Sequence, residues 1–157
     1  MGAHKRPSRL SRGKTASALT LAAVGATMFL PGGVNKADAS TISDRALRIA
    51  ESKAGAPYQW GATGPYRFDC SGLTLYSFKH AGKQLPRTAE DQYNRTEHIP
   101  ASVREPGDLV FFHRGGYVYH VGIYVGGGRI LHAPHTGSVV RLEHIWTKSV
   151  WYGRVDD

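Results

Sequence analysis

The run YVYHVGIYVGGGRILHAP, residues 117–134, limits the fold more than any other stretch of this chain. Two alternating, β-branched and aromatic segments flank three consecutive glycines, which is the pattern of a β-hairpin. With Gly126, Gly127 and Gly128 as a three-residue loop, Val125 opposes Arg129 and paired positions add to 254, so Gly122 opposes His132. Side chains alternate along a strand, which puts His120, Gly122 and His132 on one face and makes the imidazoles diagonal neighbours about 7 Å apart at the backbone. The glycine leaves room between them. The opposite face, Tyr119, Val121, Ile123, Val125, Leu131 and Ala133, is apolar and faces a core. A two-residue loop gives an odd sum and throws the rings onto opposite faces.

The rest of the chain supplies elements to pack on that hairpin. ISDRALRIAESKAG carries Ile42, Ala46, Ile49 and Ala50 at helical spacing, with Thr41 or Ser43 as N-cap and Gly55 as terminator. APYQWGATGPYRF, rich in Gly, Pro and aromatics without periodicity, reads as a loop. A helix starts at or just after Cys70, shows Leu73, Leu75, Tyr76 and Phe78 as its apolar face, and stops at Gly82. A second short helix follows LPRT, with Thr88 able to cap the amides of Glu90 or Asp91. EPGDLVFF, SVVRLEHI and VWYGRV are further strand candidates. Helices first and antiparallel strands afterwards predict an α+β domain with its helices on one side of a small antiparallel sheet.

Cys70, in YRFDCSGLTLYSF, is the only cysteine of the 157 residues, so no internal disulfide forms. In the first turn of a helix it meets unpaired N–H groups and a partial positive charge, which favour the thiolate and predict a lowered pKa. The competing reading is a small buried apolar residue. A cysteine nucleophile needs a base, normally His, and the base needs an orienting group. His80, His98, His113 and His144 sit among charged or turn residues, whereas His120 and His132 share the hairpin face. Zinc on Cys70 and two histidines is the rival chemistry. No short-spaced ligand pair accompanies them, so neither metal nor other cofactor is expected.

Residues 1–39 read as a secretory signal peptide. MGAHKRPSRLSRGK is basic without an acidic residue, ASALTLAAVGATMFL is apolar, and Ala37, Asp38 and Ala39 form a small-residue cleavage site before Ser40. The apolar run of about 15 residues is shorter than the roughly 20 needed to span a bilayer, so no stable membrane insertion is expected after cleavage. The leader holds six of the 20 Lys and Arg and one of the 12 Asp and Glu, which leaves 14 against 11, a net +3 rather than +8. That mild excess suits an anionic wall and lacks the clustered basic stripe of a nucleic-acid binder. Residues 40–157 are one domain by length, without repeat, linker or further spanning segment.

The series PYQWG, FDCSGLTLYSF, LPRTAEDQY, PGDLVFF and HVGIYVGGGRILHAP, followed by Gly-Ser-Val, closely resembles the NlpC/P60 family of cell-wall cysteine peptidases in order and spacing, from about Ala46 to Tyr152. The resemblance implies a papain-like NlpC-type α+β fold and hydrolysis of peptidoglycan stem-peptide bonds, most often between D-γ-glutamate and a diamino acid such as meso-diaminopimelate. It implies Cys70 as nucleophile, His120 as base and His132 as orienting residue. Tyr58 and the backbone N–H of Cys70 would hold the oxyanion, although a packing role for Tyr58 stays open. Asp69, Ser71 and Arg87 match positions near the substrate's glutamyl and amino-terminal groups, and for Arg87 an ion pair with Asp69 is the equal alternative. His135, in HAPHTG, competes for the orienting role if the strand ends early. A secreted or wall-associated monomer acting on stem peptides is expected, without the wall-binding repeats or coiled coils of many relatives. The same fold also serves amidases, transpeptidases and silent peptidoglycan-binding modules.

Overall fold

The structure is a computed structural model that describes residues 40–157. The leader expected over residues 1–39 lies outside the described residues. Helix α1, Ile42–Glu51, starts with a capping box: the Asp44 N–H donates to Thr41 Oγ1 at 3.0 Å and the Thr41 N–H to Asp44 Oδ2 at 3.2 Å. Ala46 and Ala50 present its fully buried face. The helix ends at Glu51, before the expected terminator Gly55. Lys53 and Ala54 tighten into turns bonded three residues back, and the Gly55 N–H is drawn to the Val140 carbonyl at 2.8 Å.

Helix α2, Cys70–Ala81, begins at the N-cap Asp69, whose Oδ1 accepts the Gly72 N–H at 2.7 Å, and closes on Gly82 in the left-handed conformation, φ 107°. Helix α3, Ala89–Arg95, is capped by Thr88 Oγ1 on the Asp91 N–H at 3.1 Å. Six strands follow: β1 Glu97–Ile99, β2 Leu109–Arg114, β3 Tyr117–Gly126, β4 Arg129–His132, β5 Arg141–His144 and β6 Val150–Arg154. They form one antiparallel sheet in the order β1-β6-β2-β3-β4-β5, so β5 is an edge.

The helices cover one face of the sheet. There Ala46, Phe68, Leu73 and Phe78 pack with Leu109, Phe111, Val121, Ile123 and Leu131. Val110, Phe112, Tyr124, Ile130 and Tyr152 make a smaller apolar cluster on the other face. Strand β2 is therefore buried on both sides, and each of its phenylalanines contributes about 1.5–3 kcal/mol of burial.

The hairpin keeps the expected pairing by an unexpected route. Ile123 pairs with Leu131 and Tyr124 with Ile130, but the strands close at Gly126 and Arg129 around a two-residue turn. Gly127 and Gly128 take left-handed φ of 62° and 71°, as a primed hairpin turn requires. The two-residue turn alone reverses the faces; a bulge at Val125 restores them. A second irregularity pairs Phe112 with His120 but His113 with Val118, leaving Tyr119 without a partner on β2. Val118 joins the main core and Tyr119 is exposed, which corrects the assignment of Tyr119 to the apolar face. A Cβ on Gly122 would lie 2.9 Å from Ile130 Cδ1 and 3.2 Å from His132 Cβ, so the glycine lets the strands and the His132 ring approach. Among the described residues no helix is long and apolar enough to cross a membrane.

Candidate active site

Cys70 is the first residue of α2 and its surroundings are fixed mainly by the residues beside it. The buried Asp69 carboxylate accepts from the Gly72 N–H, from the Gly61 N–H at 2.9 Å, and from Arg87 at 3.1 and 2.5 Å. Arg87 also donates to Ser71 Oγ at 2.8 Å. Of the two readings for Arg87, the ion pair with Asp69 is present. The fully buried Gln92 amide donates to the carbonyls of Ser71 at 3.0 Å and Pro86 at 2.9 Å and accepts from Thr74 Oγ1 at 2.6 Å. It fastens α3 to the turn that carries the thiol.

Burial pushes the Cys70 thiol up, the Asp69 carboxylate adds to this, and hydrogen bonds from the Val121 and Ser71 backbones do not offset them. The pKa is therefore raised rather than lowered as expected, because burial disfavours the thiolate. At rest the group is a thiol.

His120 on β3 and His132 on β4 stand with ring centroids 5.1 Å apart and planes at 75°. His120 Nε2 and His132 Nδ1 share a hydrogen bond of 2.8 Å. Trp146 stacks on Phe112 at 4.2 Å, with its ring centroid 6.0 Å from that of His120 and 5.6 Å from that of His132. Burial, then the neighbouring His132, lowers the pKa of His120 to about 3. His132 is lowered by burial as well, against the opposing pull of Glu143. A neutral imidazole and a thiol thus line the same cavity, a pairing that suits proton transfer to a general base.

His132 Nε2 lies 2.5 Å from Glu143 Oε2, and Arg141 Nη2 donates to Glu143 Oε1 at 3.1 Å. His135 is exposed and bonds the Thr136 carbonyl through Nδ1, so it does not take the orienting place. Among the described residues no group of three or more His, Cys, Asp and Glu is arranged to hold a metal ion.

Two cavities meet at Cys70. One, of about 770 Å³, is lined by Tyr58, Cys70, His120, His132 and Trp146 among others. The second, of about 610 Å³, is lined by Cys70 with Asp69, Ser71, Arg87 and Asn94 among others. Trp60 and Tyr119 border both. Every site residue implied by the family resemblance therefore lines one or both of these adjoining cavities. The Tyr58 phenol is raised by burial, and the nearby Cys70 and Asp69 add to this, so it stays a proton donor at neutral pH.

Glu143, Trp146 and Gln92 are the residues that sequence reasoning missed. A signal exists for Glu143: in RLEH it alternates with Arg141, and β5 pairs Glu143 with Ile130 and Arg141 with His132, on the histidine face. The irregular segment between β4 and β5 conceals that register.

The family model described as "NlpC/P60 family" matches residues 55–155. A Listeria monocytogenes protein named "Probable endopeptidase p60" is 47% identical over 111 residues, which cover 68% of this chain and 22% of that protein. The "Gamma-D-glutamyl-L-lysine dipeptidyl-peptidase" of Bacillus subtilis is 38% identical over 125 residues, covering 74% of this chain and 42% of its own. Among solved structures, the peptidoglycan hydrolase RipB of Mycobacterium tuberculosis superposes with a TM-score of 0.69 at 30% identity, covering 79% of this chain and 69% of that one. The chain spans about a fifth of the length of the Listeria relatives it matches.

Proposed function

The chain belongs to the NlpC/P60 family, and we propose that it is an exported cysteine peptidase that hydrolyses stem-peptide bonds of bacterial peptidoglycan, acting as a monomer after loss of residues 1–39. The observation that carries this reading is the meeting of Cys70, His120 and His132 on one cavity, with the two rings hydrogen-bonded to each other.

His120 Nε2 is engaged with His132, so Nδ1 is the nitrogen free to act as base. In the proposed reaction it takes the thiol proton while Cys70 Sγ bonds to the scissile carbonyl carbon. Tyr58 and the Cys70 N–H stabilise the oxyanion. Collapse breaks the C–N bond, and the imidazolium returns its proton to the leaving amine, which leaves an acyl-enzyme. His120 then deprotonates a water; its oxygen bonds to the carbonyl carbon, the C–S bond breaks, and the proton returns to the thiolate.

The leaving amine must lie on the His120 side, in the larger cavity. The acyl part then occupies the cavity of Asp69, Ser71 and Arg87. The bond we assign is D-γ-glutamyl to a diamino acid such as meso-diaminopimelate; the Bacillus subtilis relative, named for γ-D-glutamyl-L-lysine, supports that bond class. Purified peptidoglycan and defined muropeptides are digested with the parent and with Cys70→Ala, and fragments are weighed by mass spectrometry. A new diamino-acid amino terminus, absent with the variant, is expected. Cleavage only at the glycan–peptide amide, formation of transpeptidation products, or binding without cleavage overturns the assignment.

A further inference from the structure

We infer that Glu143 is a positioning residue: its carboxylate sets, through His132, which nitrogen of His120 carries the proton. The inference rests on the catalytic reading of His120 above. It begins from a weakness of any pair of histidines. Each neutral ring has one donor and one acceptor nitrogen, so a bond between two rings forms equally well with either ring donating. Only one of those arrangements leaves His120 Nδ1 bare to act as a base.

Glu143 removes the degeneracy. An ionised carboxylate only accepts, and its Oε2 lies 2.5 Å from His132 Nε2, so that nitrogen must carry the proton. His132 Nδ1 is then bare and must accept from His120 Nε2, 2.8 Å away. The single proton of neutral His120 is thereby placed on Nε2, and Nδ1 is left bare. Reversing the chain would set the bare His132 Nε2 against the carboxylate, acceptor against acceptor.

The carboxylate is itself held at both oxygens, because Arg141 Nη2 donates to Oε1 at 3.1 Å. Burial pulls the Glu143 pKa up, but the hydrogen bonds from Arg141 and His132 outweigh it and hold the group below its ordinary value. His132 is completely buried, so water does not substitute for Glu143 at that nitrogen without opening the site. The ionisable groups lining the cavity with the two rings are Glu143, Arg141 and His144 on β5, His135 beyond β4, Tyr119 on β3, Cys70 on α2, and Tyr58.

Nitrogen NMR of isotope-labelled histidine reads the tautomers directly and needs no substrate. In the parent both His120 and His132 are expected as Nε2–H forms. In Glu143→Ala both are expected to become tautomer mixtures, with kcat lower by about 10- to 100-fold and KM little changed, the usual size for loss of a group that orients a catalytic ligand. Glu143→Gln, which accepts through its carbonyl oxygen but also donates, is expected to recover part of both signals. Mixed or Nδ1–H tautomers in the parent overturn the proposal even if Glu143→Ala fails to fold. So does a Glu143→Ala protein with kcat within twofold of the parent, or one whose loss lies in KM alone with tautomers unchanged. Correct parent tautomers in a protein that does not cut peptidoglycan would instead overturn the proposed function and leave the relay standing.

Discussion

The two banks of the cleft are built by opposite means. The thiol bank is local: Asp69, Cys70 and Ser71 are consecutive, and Asp69 caps the helix, ties the Gly61 turn and receives Arg87. The imidazole bank is assembled from three strands, with His120 on β3, His132 on β4 and Glu143 on the edge strand β5, joined through side chains. Backbone geometry is stiff and places an atom. A chain of side-chain hydrogen bonds places a proton, whose position depends on every link.

Substitutions on the two banks therefore fail differently. The largest effect belongs to the thiol: Cys70→Ser is expected to abolish peptidoglycan cleavage with the thermal midpoint unchanged, since a serine hydroxyl has no comparable acidity. Retained turnover removes Cys70 as nucleophile, and loss of folding makes it a core residue. Next is His120→Ala, with a rate loss on the order of 100- to 10,000-fold for a missing general base, read from fragment release. On the link behind it, His132→Ala is expected to cost about 10- to 100-fold and His132→Asn less, because an amide oxygen still accepts the His120 N–H. An unchanged rate in His132→Ala shortens the imidazole bank to a single residue.

Asp69→Ala tests the local bank. Loss of the cap, the turn tether and the partner of Arg87 is expected to lower stability by about 1–3 kcal/mol in denaturant unfolding. An unaltered midpoint means that the α2 start is held without Asp69. A further effect is one of pH. Unfolded His120 takes a proton near its ordinary value of 6.5, while in the folded protein it does so only near about 3. Between these values the unfolded state binds the extra proton, so stability falls as pH is lowered and is unaffected above that window. The slope is at most about 1.4 kcal/mol per pH unit for this ring. Acid unfolding of the parent against His120→Gln checks it, and equal slopes remove the contribution.

The same division decides what the sequence discloses. The start and end of α2 are legible because an apolar face without Pro or Gly interruption runs from Leu73, just after Cys70, to the stop at Gly82, although the sequence does not single out Asp69 as its cap. The common face of His120 and His132 is legible by parity, although the turn that yields it is not the expected one. Three glycines do not say which of them turn, and a bulge at Val125 has no residue signature. The exchange of Tyr119 for Val118 in the core has the same origin. Strand β1, three residues long, is too short for periodicity to register. The thiol's acidity is not legible because a helix start reveals the sign of its field but not the burial that raises the pKa. Glu143 is hidden because β5 joins its neighbour through an irregular segment that fixes no register in the sequence.

The Val125 bulge makes this hairpin behave like a reading frame. One residue added to or removed from the Gly126–Gly128 stretch, with the bulge retained, shifts every later side chain to the wrong face, sending His132 toward the main core and Leu131 outward. A compensating second change, such as loss of the bulge together with growth of the turn to three residues, restores the frame. Turn length and bulge are consequently a linked pair: among hairpins that keep both imidazoles in the cleft, single-residue insertions should be absent and paired ones tolerated.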